Sequence, residues 1–285
     1  MSPSLETLVA AFEYSLVLAG LGFLFWLFFR PAGRAARAQP PVLRRWDLEL
    51  TDVLFLAWLV LALGIVGQLL LRATVGSSLH RLPDGPMLEL VLYGSMFHFA
   101  VLVTWAGTNW YFVRRRALAP PPLEPAPPLR AAPVRAIPAA LLTLVVAMPL
   151  LSVAGLLWEP LLKAVGLPTE HQELVDLFAN AQSPWSLAPM AALALVVAPV
   201  SEEMVFRGGI FRFLLGRAPR WVAYTASAGL FALAHTNWVS FLPLFLLGLL
   251  FAAAYERTGR LAVPMLAHAL FNLNSLLLVL CGIGN

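Results

Sequence analysis

Two adjacent carboxylates, a guanidinium, two imidazoles and a carboxamide lie inside apolar stretches of the last third of this chain. Glu202, Glu203 and Arg207 share the run Glu-Glu-Met-Val-Phe-Arg, His235 closes Phe-Ala-Leu-Ala-His, and His268 and Asn272 bound His-Ala-Leu-Phe-Asn. An ionisable side chain at the centre of a membrane helix costs about 2.5–3.5 kcal/mol or more, so such residues mark a functional site by default. Helical spacing then assigns chemistry. Residues four apart share a face, so Glu203 and Arg207 can form a desolvated ion pair. Glu202 is turned by about 100° and shares its face with Phe206 instead. It is left as a free carboxylate in apolar surroundings, where desolvation favours a general base near neutral pH. Pro199 precedes it and frees the carbonyl of Leu195, which favours a kink. His235, with Phe231 one turn earlier, can share a water with Glu202. His268 and Asn272 point the same way, and two aligned N–H donors suit the oxyanion of a tetrahedral intermediate. A base, a water-orienting imidazole and paired donors make a hydrolase of acyl bonds. Each piece also has a purely structural reading: interhelical glue for Glu–Arg, a packed core residue for a lone His, a bridge to a neighbour for Asn. The order and company of the three runs favour chemistry.

The elements that must carry these residues are membrane helices. The chain has 285 residues, 60% hydrophobic and 12% charged, whereas soluble domains are about a quarter charged. Runs of roughly 20 apolar residues, enough to cross a bilayer, recur along it. The pattern predicts an all-α polytopic membrane protein of about eight transmembrane helices, at 8–29, 52–71, 87–112, 138–158, 187–206, 221–236, 240–256 and 261–281. No basic region precedes residues 8–29, and the run is too long for the apolar core of a signal peptide. Every Lys and Arg except Arg72, Arg81 and Lys163 falls in or beside loops that alternate with the helices, as positive-inside topology requires, so both termini are expected on the outer side. The net charge of +4 is explained by that rule and implies no nucleic acid; the surroundings are the lipid bilayer. The single cysteine, Cys281, excludes an internal disulfide and a Cys-rich metal site.

Three leading helices occupy 1–116, a proline-rich cytoplasmic linker 117–137, and a five-helix catalytic half 138–285. The linker composition favours a stiff polyproline spacer. The outer loop 159–186 carries a capping-box pattern at Thr169 and Gln172, which predicts a short interfacial helix. His98 lies in the third helix and reads as a packed or hydrogen-bonded residue, His80 and His171 lie in outer loops, and Glu89 and Asp52 open helices. One expectation conflicts with the rest. A helix ending at 206 puts Glu202 near the cytoplasmic third, while His235 stands about 21 Å along its helix from Trp221. The pair can meet only through an elbow at 208–219 or a strong tilt.

In this order, across successive helices, the three motifs resemble the CAAX protease and bacteriocin-processing (CPBP, or Abi) family, which includes the type II CAAX prenyl endopeptidase. Its pattern is Glu-Glu-x-x-x-Arg, then Phe-x-x-x-His, then His-x-x-x-Asn, and residues 202–207, 231–235 and 268–272 follow it without departure. The resemblance covers 187–281. It implies a glutamate-dependent intramembrane endopeptidase in which Glu202 and His235 activate water, Glu203 and Arg207 support them, and His268 with Asn272 holds the oxyanion. The family is often labelled metalloprotease, but this chain has no His-Glu-x-x-His helix and Asn272 is a poor zinc ligand. The expectation is a reaction without cofactor, with zinc as the disfavoured alternative. The expected substrate is a membrane-associated protein or peptide cut near its C-terminus, and the expected location is a bacterial-type plasma membrane. A non-proteolytic scaffold or immunity protein of the same fold is the competing class. A proton-coupled transporter explains buried carboxylates but not the His268–Asn272 pair.

Overall fold

The computed structural model describes residues 4–43, 48–79, 81, 85–118, 135–169 and 184–282. The core of the proline-rich linker and the outer capping-box segment lie outside the described residues, as do His80 and His171. Among the described residues the only regular structure is helical. Seven helices are long and apolar enough to cross a membrane, and the chain is an integral membrane protein. Helix α1 spans Leu5–Phe29, with the Ser4 side chain accepting from the Thr7 amide as its cap. A short α2 (Pro31–Ala38) follows, then α3 (Leu50–Leu79), α4 (Gly85–Leu118) and α5 (Ala136–Ala164).

The helix that carries the carboxylates, α6, is continuous but changes register twice. It runs as Pro184–Ala192, a π-helical turn Leu193–Val197, Ala198–Glu203, a π-helical stretch Met204–Phe211 and a last turn Arg212–Leu215. It is followed by α7 (Arg220–Ala234), α8 (Trp238–Thr258) and α9 (Ala262–Leu280). All eight expected helices exist, but α7 has only 15 residues and is too short to be counted among the seven spans. The expected end of α6 at 206 is corrected to Leu215. The Arg-Gly-Gly sequence at 207–209 reads as a stop, yet Arg207 is wholly buried and the helix continues through it. This removes the depth conflict. Glu202 stands about 20 Å from the reversal at 216–219, and His235 about 22 Å beyond it on the returning helix, at 1.5 Å per residue.

Packing explains how the apolar helices are held without a hydrophobic effect between them, by close approach and polar contacts. Helix α1 lies along α5, and α3 along α4. Pro149 cannot donate to the carbonyl of Val145 one turn back. Gly20 of α1 approaches that carbonyl so closely that an added Cβ would stand 2.2 Å from it. At one end of the bundle, Glu256 of α8 is buried and accepts from Arg220 and from the Tyr224 hydroxyl. Its backbone carbonyl takes the amides of Val42 and Leu43, and Arg257 donates to the carbonyls of Gln39 and Arg37. The stretch 37–43 is thus clasped to the end of α8, and Leu43 packs against the cluster of Phe211, Leu215, Ala223, Ala252 and Tyr255.

Candidate active site

Three helices, α6, α7 and α9, carry the motif residues, and Gly248 and Phe251 of α8 stand beside Arg207. Arg207 Nη1 donates to Glu203 Oε1 at 2.8 Å, with neither side chain exposed. The guanidinium is enclosed on the other sides as well. Its carbon lies 4.3 Å from the Phe231 ring centroid and 5.3 Å from that of Phe251, and Nη2 donates to the Gly248 carbonyl at 3.2 Å. Two aromatic faces replace water around a desolvated cation. Gly248 makes this possible: a Cβ there would stand 2.9 Å from Ala228 Cα and 3.2 Å from Arg207 Nη2.

Glu203 Oε1 also faces His268 Nδ1 at 3.2 Å. An ionised carboxylate only accepts, so Nδ1 carries the hydrogen, and in the neutral ring Nε2 is left with a lone pair. His235 is oriented in the same sense, with Nδ1 2.8 Å from the Phe231 carbonyl. Both Nε2 atoms then point at one atom, Glu202 Oε2, each at 3.9 Å. That oxygen is closed to solvent and has no hydrogen-bond partner among the described residues. Phe231 sits beneath the whole arrangement, edge-on to His235 and His268 with centroids 4.9 Å and 5.6 Å away. The geometry therefore gives the two carboxylates different surroundings. Glu203 Oε1 takes both a cation and an imidazole N–H while its Oε2 is buried without a hydrogen-bond partner among the described residues, and Glu202 faces two imidazole nitrogens across gaps too long for direct hydrogen bonds.

Asn272 is held by the irregularity of α6. In the π register the amide of Ala198 bonds to Leu193, five residues back. The next bond in that register would run from residue 199 to Ala194, and Pro199 has no N–H to make it. Asn272 Nδ2 supplies the missing donor to the Ala194 carbonyl at 2.7 Å. The carbonyl freed by the proline is thus that of Ala194, one residue earlier than α-helical spacing implies. One amide hydrogen is committed here and a second remains. In the other π-helical stretch the Phe206 carbonyl also accepts from a neighbouring helix, from Ser227 Oγ of α7 at 2.8 Å. π-Helical turns are rare and gather at functional sites, and these two flank Glu202 and Glu203.

The sequence did not single out Gly248, Ser227, Ser201 or the Ala194 carbonyl. Glycine and serine are common in membrane helices, and only the observed register reveals their partners. Thr236, directly after His235, is the one described non-glycine residue with a left-handed backbone, φ +50°. Its successor Asn237 caps α8 by accepting from the Ser240 amide at 2.9 Å.

Residues 184–274, which contain all three motifs, match the family described as type II CAAX prenyl endopeptidase Rce1-like. Over that segment the chain is similar to that family. The Rce1-like segment begins at the first residue of α6 and ends within α9, close to the expected 187–281. Membrane-embedded CAAX protease MroQ of Staphylococcus aureus is 40% identical over 84 residues, which are 27% of this chain and 34% of that protein. Putative membrane peptidase YdiL of Bacillus subtilis is 32% identical over 83 residues, 29% of this chain and 34% of its own length. An uncharacterized 24.3 kDa protein of Escherichia coli is 32% identical over 111 residues, 37% of this chain and 50% of its own. The matched stretches span a third to a half of these relatives. No solved structure matches the chain. The bacterial relatives agree with a plasma-membrane location.

Proposed function

We propose that this protein is an intramembrane endopeptidase that hydrolyses a peptide bond of a membrane-associated substrate, near its C-terminus, with water activated by Glu202 and His235. The observation that carries the proposal is the convergence of His235 Nε2 and His268 Nε2 on Glu202 Oε2, each at 3.9 Å, from three separate helices. A water between them can give one hydrogen to Glu202 and one to an imidazole while its lone pair faces a substrate carbonyl. Glu202 takes the proton as the water attacks and returns it to the leaving amine. The charge that develops on the carbonyl oxygen is met by the second Asn272 amide hydrogen, while His268 Nε2, a lone pair in the neutral ring, helps to orient the water. Glu203 and Arg207 fix the His268 ring; they do not touch the reacting atoms. The names of the relatives MroQ and YdiL support the peptidase class, and that of MroQ the CAAX-type substrate.

The same reading assigns no metal to the reaction. Two imidazoles and a carboxylate are a zinc-like donor set, but among the described residues no group of three His, Cys, Asp or Glu has the spacing of a metal site. The Arg207 cation lies one hydrogen bond behind His268, through Glu203, and disfavours a dication there.

The test compares membrane-protein C-termini, by mass spectrometry, in cells carrying the wild-type chain or Glu202→Gln. The variant keeps shape and loses the base. New C-termini seen with the wild type and absent with a folded Glu202→Gln protein are expected; identical C-termini in both would overturn the proposal and favour a scaffold.

A further inference from the structure

We propose that His98, on α4, is a positioning residue for Glu202: its Nδ1–H fixes the Ser201 hydroxyl, and through it the helical turn that presents the carboxylate. The inference rests on the peptidase reading for its kinetic arm and on geometry alone for the rest. His98 Nδ1 lies 2.6 Å from Ser201 Oγ, across 103 residues of sequence. The Ser201 hydroxyl hydrogen is already directed at the carbonyls of Val197 and Ala198, 2.9 Å and 3.1 Å away. A hydroxyl has one hydrogen, so toward His98 the oxygen accepts and Nδ1 donates. Ser201 is only 1% exposed and immediately precedes Glu202. It sits in the short regular segment between the two π-helical stretches, and the carbonyls it bonds, Val197 and Ala198, straddle the end of the first; a serine bonded back to its own helix favours a bend there. His98 is the only bond from outside α6 that this hydroxyl receives among the described residues.

The contact belongs to a helix face. Val101 and Thr104 are 4% and 7% exposed, and the Trp105 ring covers Gly208, where an added Cβ would meet Cη2 at 3.0 Å. His98, Val101 and Trp105 recur at helical spacing along one side of α4, so this helix is a wall of the site although it lies outside the family match at 184–274. The groups facing Glu202 are then His98 through Ser201 from α4, His235 after α7, His268 from α9, and Glu203 with Arg207 on its own helix.

The test uses the full chain in proteoliposomes with a farnesylated C-terminal peptide. His98→Leu removes the donor. His98→Asn puts an amide N–H at the Nδ1 position, and His98→Gln puts one at the Nε2 position. The expected result is a kcat loss of tenfold or more for Leu and Gln with KM within twofold, recovery of most activity for Asn, and a His98→Leu, Ser201→Ala double variant no worse than its poorer parent. Equal losses for Asn and Gln, or multiplying losses in the double variant, would overturn the proposal. A second arm needs no substrate: labelling of Glu202 by dicyclohexylcarbodiimide, located by mass spectrometry. Labelling changed threefold or more by Gln and restored by Asn supports the positioning role, and equal labelling in all variants overturns it. If the wild-type protein cleaves nothing, the peptidase reading fails and the labelling arm decides this one alone. His98→Gln stands in if His98→Leu does not fold.

Discussion

Asn272 and Ala194 are joined by a 2.7 Å hydrogen bond that runs from a side chain of α9 to a backbone carbonyl of α6. Asn272 therefore has a structural task besides any catalytic one. Asn272→Ala leaves a part-buried carbonyl unpaired, at about 1–3 kcal/mol, and removes one oxyanion donor, at roughly 10²–10³ in turnover. Both a lower melting temperature in detergent and a lower kcat are expected. A melting temperature equal to wild type would remove the structural task, and an unchanged kcat the catalytic one.

Arg207 and Glu203 are buried together, so removing one leaves the other uncompensated. Arg207→Ala is expected to cost about 3–5 kcal/mol and to lower yield as well as activity. Glu203→Gln with Arg207→Met deletes both charges at similar volume and should recover part of the stability. A double variant less stable than both single variants, measured by thermal unfolding in the same detergent, would show that the pair is not coupled in this way.

Gly248 is a space requirement. Gly248→Ala drives a methyl group against the α7 backbone at Ala228 and against Arg207. Overpacking of this kind costs about 1–3 kcal/mol, and displacement of Arg207 should lower activity with it. Gly229→Ala is the control, since an added Cβ there meets nothing within 4 Å. Equal melting temperatures for the two variants would contradict the packing argument.

Metal dependence separates two mechanisms at one site. Without a catalytic metal, exhaustive chelation leaves hydrolysis intact and elemental analysis finds no stoichiometric ion. One zinc per chain, with activity lost on chelation and restored by zinc, would replace the mechanism and leave the endopeptidase class standing.

Much of the site was legible because its residues are expensive in a membrane and lie within single helices. The Glu203–Arg207 pair follows from a spacing of four, and the polytopic fold from long apolar runs. What was not legible depends on register or on distant helices. The π-helical turn moves the orphan carbonyl from Leu195 to Ala194 and so gives Asn272 a partner that no motif names. The same effect hides the end of α6, because Arg207-Gly-Gly looks like a boundary until Phe231 and Phe251 are seen to sheathe the cation. His98 reads as a packed or hydrogen-bonded residue from the sequence, but only the fold names its partner, Ser201, 2.6 Å away and 103 residues along the chain.

Thr236 sets stability against activity at a single position. A β-branched residue in the left-handed region is an outlier that costs on the order of 1–3 kcal/mol, and here it lies between the His235 ring and the Asn237 cap. Glycine would relieve the strain. It would also loosen the short link that aims His235 at Glu202. A laboratory lineage selected only for heat resistance should therefore drift to glycine at this position and lose turnover as it does so, whereas one selected for turnover should keep the strained threonine.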